Sequence, residues 1–313
     1  MTMNRASFSR SVKDELARGA LPEESRVRQA ELTAFLYTSG SVNLREGERS
    51  LHFISTHLPT VRRIFRLWQS SFDIRPSVLV ARKANLYRRD SYMVRINLDA
   101  AAREALRRMG VWSQGRIKLG PPRDHLGANA EERRAYLRGS FLGGGSISDP
   151  SSGYHVEIHC RSEANSVFVH SLLGAFGIKA QVMPEDSGML LYIKDAESIS
   201  DFLKAAGAVQ SMFHFEDVRI VKDLRNRVNR LVNSETANMT KVVSAAVEQI
   251  RDIRRLSPEM RDRLSPRTRQ LMWLRLANPE ASLRELGAMS EPPVSKSTVD
   301  YHFRKVRQMV REG

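Results

Sequence analysis

The chain is poor in cysteine, in acid and in long apolar runs. One of its 313 residues is cysteine, Cys160. A single thiol rules out an intrachain disulfide and a cysteine-rich zinc site. No apolar run reaches the ~20 residues that span a bilayer, and the stretch Met1 to Phe8 lacks the apolar core of a secretory signal. A cytoplasmic protein is therefore expected. Asp and Glu number 35 against 50 Lys and Arg, a net charge of +15. Such a surplus suits a polyanionic partner, nucleic acid first, and the nucleoid is the expected place for it. Hydrophobic residues make up 41% of the chain, enough for a sizeable core and against wholesale disorder.

Periodicity then orders the chain. A short charged helix is predicted over Ser9 to Arg18, and a second opens at Pro22 and runs to Gly40. Two short strands follow around Glu46-Gly47-Glu48. Thr60 to Phe72 reads as an amphipathic helix with Val61, Ile64, Phe65, Leu67 and Trp68 inward. Ile74 to Leu98 holds two strands, and Asp99 caps a helix to Gly110. The same order recurs from Glu132: a helix ending in Gly143-Gly144-Gly145, a hairpin through Asp149 to Gly153, a helix, two strands and a helix ending at Ala206. Leu137 follows Leu32 by 105 positions, and Phe176-Gly177-Ile178 echoes Phe72-Asp73-Ile74. The pattern reads as an internal duplication of an α-β-β-α-β-β-α unit, with Gly120-Pro121-Pro122 between the copies. After Phe215 the chain turns helical, with a break expected near Ser234 and short Pro-punctuated helices from Pro258 onward.

The last of these carry a helix-turn-helix pattern. Ser265-Pro266 caps one helix, with Leu271, Leu274 and Leu276 available for a core. Ser282 caps the next, Leu283 to Met289. Ser290 to Val294 is the turn, and Ser295 caps a final helix from Lys296 to about Arg311. Val299, Phe303, Val306 and Val310 make its buried stripe. Ser297, Tyr301, Arg304 and Gln308 fall opposite, with Thr298, His302 and Lys305 on the flank. The N-terminal part of such a helix reaches base edges in the major groove. Ser297, Thr298, Tyr301 and Arg304 are the base-reading candidates, and Lys296, Lys305 and Arg307 suit phosphates. Ser295, His302 and Gln308 complete the expected DNA-binding face. Upstream, Val221, Leu224, Val228 and Leu231 form one helical stripe. Asn226, Asn229 and Asn233 lie across from it with Arg219 and Arg230. Asn is a poor helix-interior residue, so this face is expected to bind either DNA or another domain, and periodicity leaves both open.

The helices ending at Gly40 and Gly145 resemble the paired signature helices of LAGLIDADG homing endonucleases. The resemblance implies two helices packed together between two β-saddles. It also puts Ser39 and Gly144 where those enzymes place metal-binding acids. Neither residue offers the hard carboxylate oxygen that Mg²⁺ requires, so a nuclease is expected to be lost and no catalytic residue is assigned. This degenerate pair, the stretch Arg227-Val228-Asn229-Arg230-Leu231-Val232-Asn233-Ser234-Glu235-Thr236-Ala237-Asn238, and Pro292 to Ser297 together resemble the WhiA family of bacterial regulators over nearly the whole chain. The resemblance implies a regulator of sporulation or cell-division genes. In actinobacterial members it also implies a WhiB-like iron–sulfur protein as a partner; besides double-stranded DNA, a sigma factor or RNA polymerase is a further expected partner. The expected fold is α+β: a duplicated LAGLIDADG-like domain, then an all-α helix-turn-helix domain. Its expected divisions are 1–119, 120–215, a helical linker over 216–256, and 257–313.

Other chemistry is disfavoured. His155, His159 and Cys160 sit in a predicted strand without a fourth ligand. Gly143-Gly144-Gly145 lacks the Lys-Ser/Thr of a phosphate loop. No metal or cofactor is expected. The alternatives are an active DNA-cleaving enzyme and a protein that binds a sigma factor or RNA. Arg82, Lys83, Arg88 and Arg89 would grip DNA in a saddle. Glu157, Glu185 and Asp186 in the second half would repel it, so these four cations are expected to matter less than Arg304.

Overall fold

The structure, a computed structural model, describes residues 7–45, 48–81 and 90–312. These form two units, Met1–Lys222 and Asp223–Gly313.

In the first unit the expected order is realised. Helix α1 (Phe8–Arg18) precedes α2 (Ser25–Thr38), then strands β1 (Gly40–Arg45) and β2 (Glu48–Ser55), α3 (Leu58–Phe72), β3 (Ser77–Ala81), β4 (Ser91–Asn97) and α4 (Ala100–Arg108). A two-stranded ribbon, β5 (Trp112–Ser113) and β6 (Arg116–Ile117), leads to the second copy. That copy comprises α5 (Ala130–Gly144), β7 (Gly145–Ile147), β8 (Val156–Cys160), α6 (Glu163–Gly174), β9 (Gln181–Glu185), β10 (Gly188–Ile193) and α7 (Ala196–Ala206). The duplication is visible in topology: the antiparallel sheets run β1-β2-β4-β3 and β7-β8-β10-β9. It is also visible in one backbone detail. Asp73 and Gly177 both adopt the left-handed conformation, at φ 53° and 73°. A left-handed residue thus follows the corresponding helix in each copy, directly after α3 and three residues after α6, and Asp tolerates what Gly adopts freely.

The two copies share one core. Helices α2 and α5 pack against each other, and a single apolar cluster runs from Phe8 through Leu32, Phe35 and Leu137 to Phe202 and Phe215. Close approach is set at Gly139: a Cβ there would lie 2.6 Å from the Glu31 carbonyl and 2.9 Å from the Ala34 Cβ. Over the same crossing lies a buried charge cluster. Both Glu31 carboxylate oxygens accept from Arg63, and Arg138 Nε donates to Glu31 Oε2 at 3.1 Å. Arg63 Nη1 donates to the Gly19 carbonyl and Arg138 Nη1 to the Ala206 carbonyl. On α3, Arg63 is therefore buried while Phe65 is only half-buried, against the expected inward set. The ion pair won the site because Glu31, fully buried on α2, needed a counter-charge.

Helix α8 (Val209–Arg255) is unbroken, so the expected break near Ser234 is absent. A lone Ser costs only about 0.5 kcal/mol relative to Ala inside a helix, which does not stop one. Its first turn is capped from α1: Glu15 accepts from the Gln210 and Ser211 amides at 2.8 and 2.9 Å.

The second unit contains the C-terminal part of α8 and four further helices: α9 (Pro258–Asp262), α10 (Pro266–Ala277), α11 (Leu283–Met289) and α12 (Lys296–Glu312). Ser257, Ser265 and Ser282 cap α9, α10 and α11, the last in a full capping box with Glu285. The core joins Ile253, Leu256, Leu271, Leu274, Leu286, Val299, Phe303 and Val306. Leu276 stays largely exposed; Met272 and Arg275 take the inward positions beside Leu271. The Arg275 guanidinium is buried without a carboxylate and donates to Gln249 Oε1 at 2.9 Å and to carbonyls after α10. No helix among the described residues is long and apolar enough to cross a membrane.

Candidate nucleic-acid interface

The site is built on α12. Val299, Phe303 and Val306 anchor one side to the core, and this fixes which residues point out. Ser295, Lys296, Ser297, Tyr301, Arg304, Lys305 and Gln308 are exposed; Thr298 and His302 are half-buried. At the start of the helix Ser295 Oγ accepts from the Thr298 amide and lies 2.8 and 2.9 Å from the Ser297 and Thr298 hydroxyls. The first turn thus presents three hydroxyls beside Lys296.

The cations of α12 differ in freedom. Arg304 is paired with Asp300 one turn back, which fixes its guanidinium on the outer face. Arg307 donates to Glu248 at 2.6 Å and to Asp252 at 3.3 Å, both on α8. In the free protein these two carboxylates tie Arg307 of α12 to α8. Gln308 donates to Glu312 at 2.8 Å. Arg267, unmarked by any periodicity, donates to the Glu291 and Pro292 carbonyls at 2.8 and 3.0 Å and holds the turn before α12.

His302 Nδ1 lies 2.8 Å from Thr268 Oγ1. Burial, then the charges of Arg267 and Lys305, lower its pKa below the ordinary histidine value. The unfolded chain, with a histidine pKa of about 6.5, takes up this proton first as the pH falls. The stability that neutral His302 contributes is therefore present above about pH 6.5 and lost below it. We expect the thermal melt of the C-terminal unit, followed by Trp273 fluorescence, to drop between pH 8 and 5.5. The drop should be smaller in His302→Gln. Equal drops in both proteins would remove His302 from the explanation.

Asn226, Asn229, Arg230 and Asn233 are all exposed on α8, as are Val221, Leu224, Val228 and Leu231 across from them. The structure thus places neither set against a partner. Arg82, Lys83, Arg88 and Arg89 lie outside the described residues.

At the ends of the paired helices, Ser39 Oγ donates to the Phe35 carbonyl at 3.2 Å. A Cβ on Gly144 would sit 2.7 Å from Thr38 Cγ2 and 2.9 Å from the His159 carbonyl oxygen. The glycine is required by close packing, and its φ is not in the left-handed range. On the second sheet, register places Glu157 beside Ser146 and Tyr192 on the outward face, with His155 2.6 Å from Glu157 and His159 2.8 Å from Glu185. Among the described residues no group of three or more His, Cys, Asp or Glu side chains could hold a metal ion. Cys160 is buried, and burial pushes its thiol up to about 12, where it is unreactive.

A duplicated α-β-β-α-β-β-α unit with paired glycine-ended helices, followed by a helix-turn-helix, defines a LAGLIDADG-like protein carrying a DNA-binding type of domain. Comparison with known proteins agrees in every part. Residues 25–112 match the WhiA N-terminal LAGLIDADG-like domain, 133–225 the WhiA LAGLIDADG-like domain and 228–310 the WhiA C-terminal HTH domain. The chain belongs to the WhiA family. It is 36% identical over 311 residues to the probable cell division protein WhiA of Thermoanaerobacter pseudethanolicus, covering 98% of both chains. It is 38% identical over 313 residues to the protein of that name from Staphylococcus haemolyticus, again covering 98% of both. The fold is that of full-length DUF199/WhiA from Thermatoga maritima, at a TM-score of 0.58 and 23% identity over 98% of this chain and 99% of that one.

Proposed function

We propose that the protein is a sequence-specific DNA-binding transcription regulator of sporulation or cell-division genes, and that it performs no catalysis. The observation that carries this reading is the outer face of α12. There Ser297, Tyr301, Arg304 and Gln308 project from a helix whose opposite side is locked into the core. A helix so anchored can enter the major groove without losing its own packing. The relatives' name, probable cell division protein, supports the choice of target genes. The lack of a carboxylate at Ser39 and the packing around Gly144 support the absence of nuclease chemistry. In this reading residues 1–119 and 120–215 are the two halves of the LAGLIDADG-like part, 216–256 the helical linker and 257–313 the DNA-binding domain. The protein works at the nucleoid, with a WhiB-like iron–sulfur protein, a sigma factor or RNA polymerase as its protein partner.

Selection of duplexes from a random library with the full chain tests the reading, followed by fluorescence anisotropy on the enriched site at two salt concentrations. Arg304→Ala should cost about 1–3 kcal/mol on that site and relax discrimination at one base position. Lys305→Ala should weaken specific and non-specific duplexes alike and reduce the salt slope by roughly one phosphate contact. No enrichment, or loss of base discrimination from Lys305→Ala rather than Arg304→Ala, would count against this placement of the reading surface.

A further inference from the structure

Between residues 220 and 247, α8 carries apolar side chains that nothing covers. Leu224, Leu231 and Met239 are 61%, 60% and 68% exposed, and Val221, Val228, Val232 and Val242 are exposed with them. The same stripe continues into the C-terminal core, where Ala246 and Ile253 are buried. A contiguous exposed apolar row of this length on a charged, soluble helix marks an interaction surface.

Its spacing says what occupies it. Val221, Leu224, Val228 and Leu231 alternate three and four residues apart, the seven-residue repeat of a coiled-coil seam, and Val242 returns in phase. The β-branched residues Val221, Val228 and Val242 fall at the first apolar position of the heptad and Leu224 and Leu231 at the second. That division favours two parallel strands. The flanks permit it. In a parallel in-register pair, Ile220 meets Arg225, Arg227 meets Val232 and Ser234 meets Met239 of the second copy. No like-charge pair arises there, and the Arg stems lie along apolar side chains. Two seam positions are polar, Glu235 and Asn238. Polar seam residues fix register at the expense of stability.

We propose that the face of α8 lined by Val221, Leu224, Val228, Leu231 and Val242 pairs with a second copy of this chain as a parallel, in-register two-stranded coiled coil. The run from 221 to 242 is about 33 Å long, and with a helix ~10 Å wide the pair shares roughly 650 Å² of contact. That is at the weak end of specific interfaces. The dimer is therefore weak and concentration-dependent, and two facing Glu235 carboxylates weaken it further.

Sedimentation equilibrium of the full chain between 1 and 100 μM is the first test, with a monomer–dimer curve expected. Leu224→Asp/Leu231→Asp should leave a monomer throughout. Both positions are exposed, so circular dichroism should be unchanged. Glu235→Leu should tighten the dimer by ~10-fold or more, because it removes the like-charge pair and extends the apolar seam; this gain does not depend on a damaged variant. Direction is read by oxidation. Val228→Cys and Val242→Cys should each form a disulfide-linked dimer, since in-register parallel strands bring both positions to their own copies. An antiparallel pair can do so at one of them at most. Buried Cys160 leaves the background clean. A monomer at every concentration, no tightening by Glu235→Leu, or cross-linking at only one of the two cysteines overturns the proposal.

Discussion

Glu31→Ala is expected to remove about 3–5 kcal/mol from the unfolding free energy of the first unit. Glu31 is fully buried, and it is the carboxylate shared by Arg63, itself 1% exposed, and Arg138. Truncation leaves two guanidinium groups at the α2–α5 crossing with only the Gly19 and Ala206 carbonyls to compensate them. The cost lies mainly in those stranded charges. Replacing the set by apolar residues of similar length, Glu31→Leu/Arg63→Met/Arg138→Met, should recover most of the loss. Urea unfolding in a Trp273→Phe background isolates the first unit, because the two remaining tryptophans, Trp68 and Trp112, belong to it. A shift under 1 kcal/mol for Glu31→Ala, or a triple variant weaker than the single one, would show that the cluster is not what holds the crossing.

Placing an acid at the motif position should fail. Gly144→Asp should destabilise the first unit by roughly 1–3 kcal/mol through overpacking. The new Cβ meets Thr38 Cγ2 at 2.7 Å and the His159 carbonyl oxygen at 2.9 Å. The threonine methyl can rotate away, but the backbone oxygen belongs to β8 and is held by its ladder with β10. The second acid position fares no better. Ser39 follows the last residue of α2, where carbonyls point outward and a carboxylate is disfavoured. Ser39→Asp/Gly144→Asp should therefore show no Mg²⁺-dependent nicking of supercoiled plasmid, and neither should the wild-type chain. EDTA-sensitive cleavage by the double variant with an unchanged melting temperature would overturn this expectation.

These two outcomes mark where reading residues stops and packing begins. The duplication, the order of elements in both copies, the capped helices of the C-terminal unit and the face of α12 were all legible in the chain. Each rests on local signals: a period of 2 or 3.6, a Ser one residue before a helix, a Gly after one. The echo of Phe72-Asp73-Ile74 in Phe176-Gly177-Ile178 was legible for the same reason, since a left-handed turn constrains the residue that makes it.

What the sequence determined by itself is thus the order of the main elements, the repeat and the residues that α12 turns outward, but not the unbroken α8 or the β5–β6 ribbon. Only the tertiary structure decided which charges are spent. Arg63 sits among the inward positions of α3 because a carboxylate 32 residues away lies across from it. Arg307 resembles any other cation on α12 until Glu248 and Asp252 on α8 are brought beside it. Arg275 reads as surface and is buried among carbonyls. Close packing at Gly144 was expected, but its partners were not legible: a strand reached only after a hairpin and a threonine from the other copy. Helix and turn signals act over a few residues and are written in order along the chain. Counter-charges and close approaches act through space, and only folding sets which residues meet.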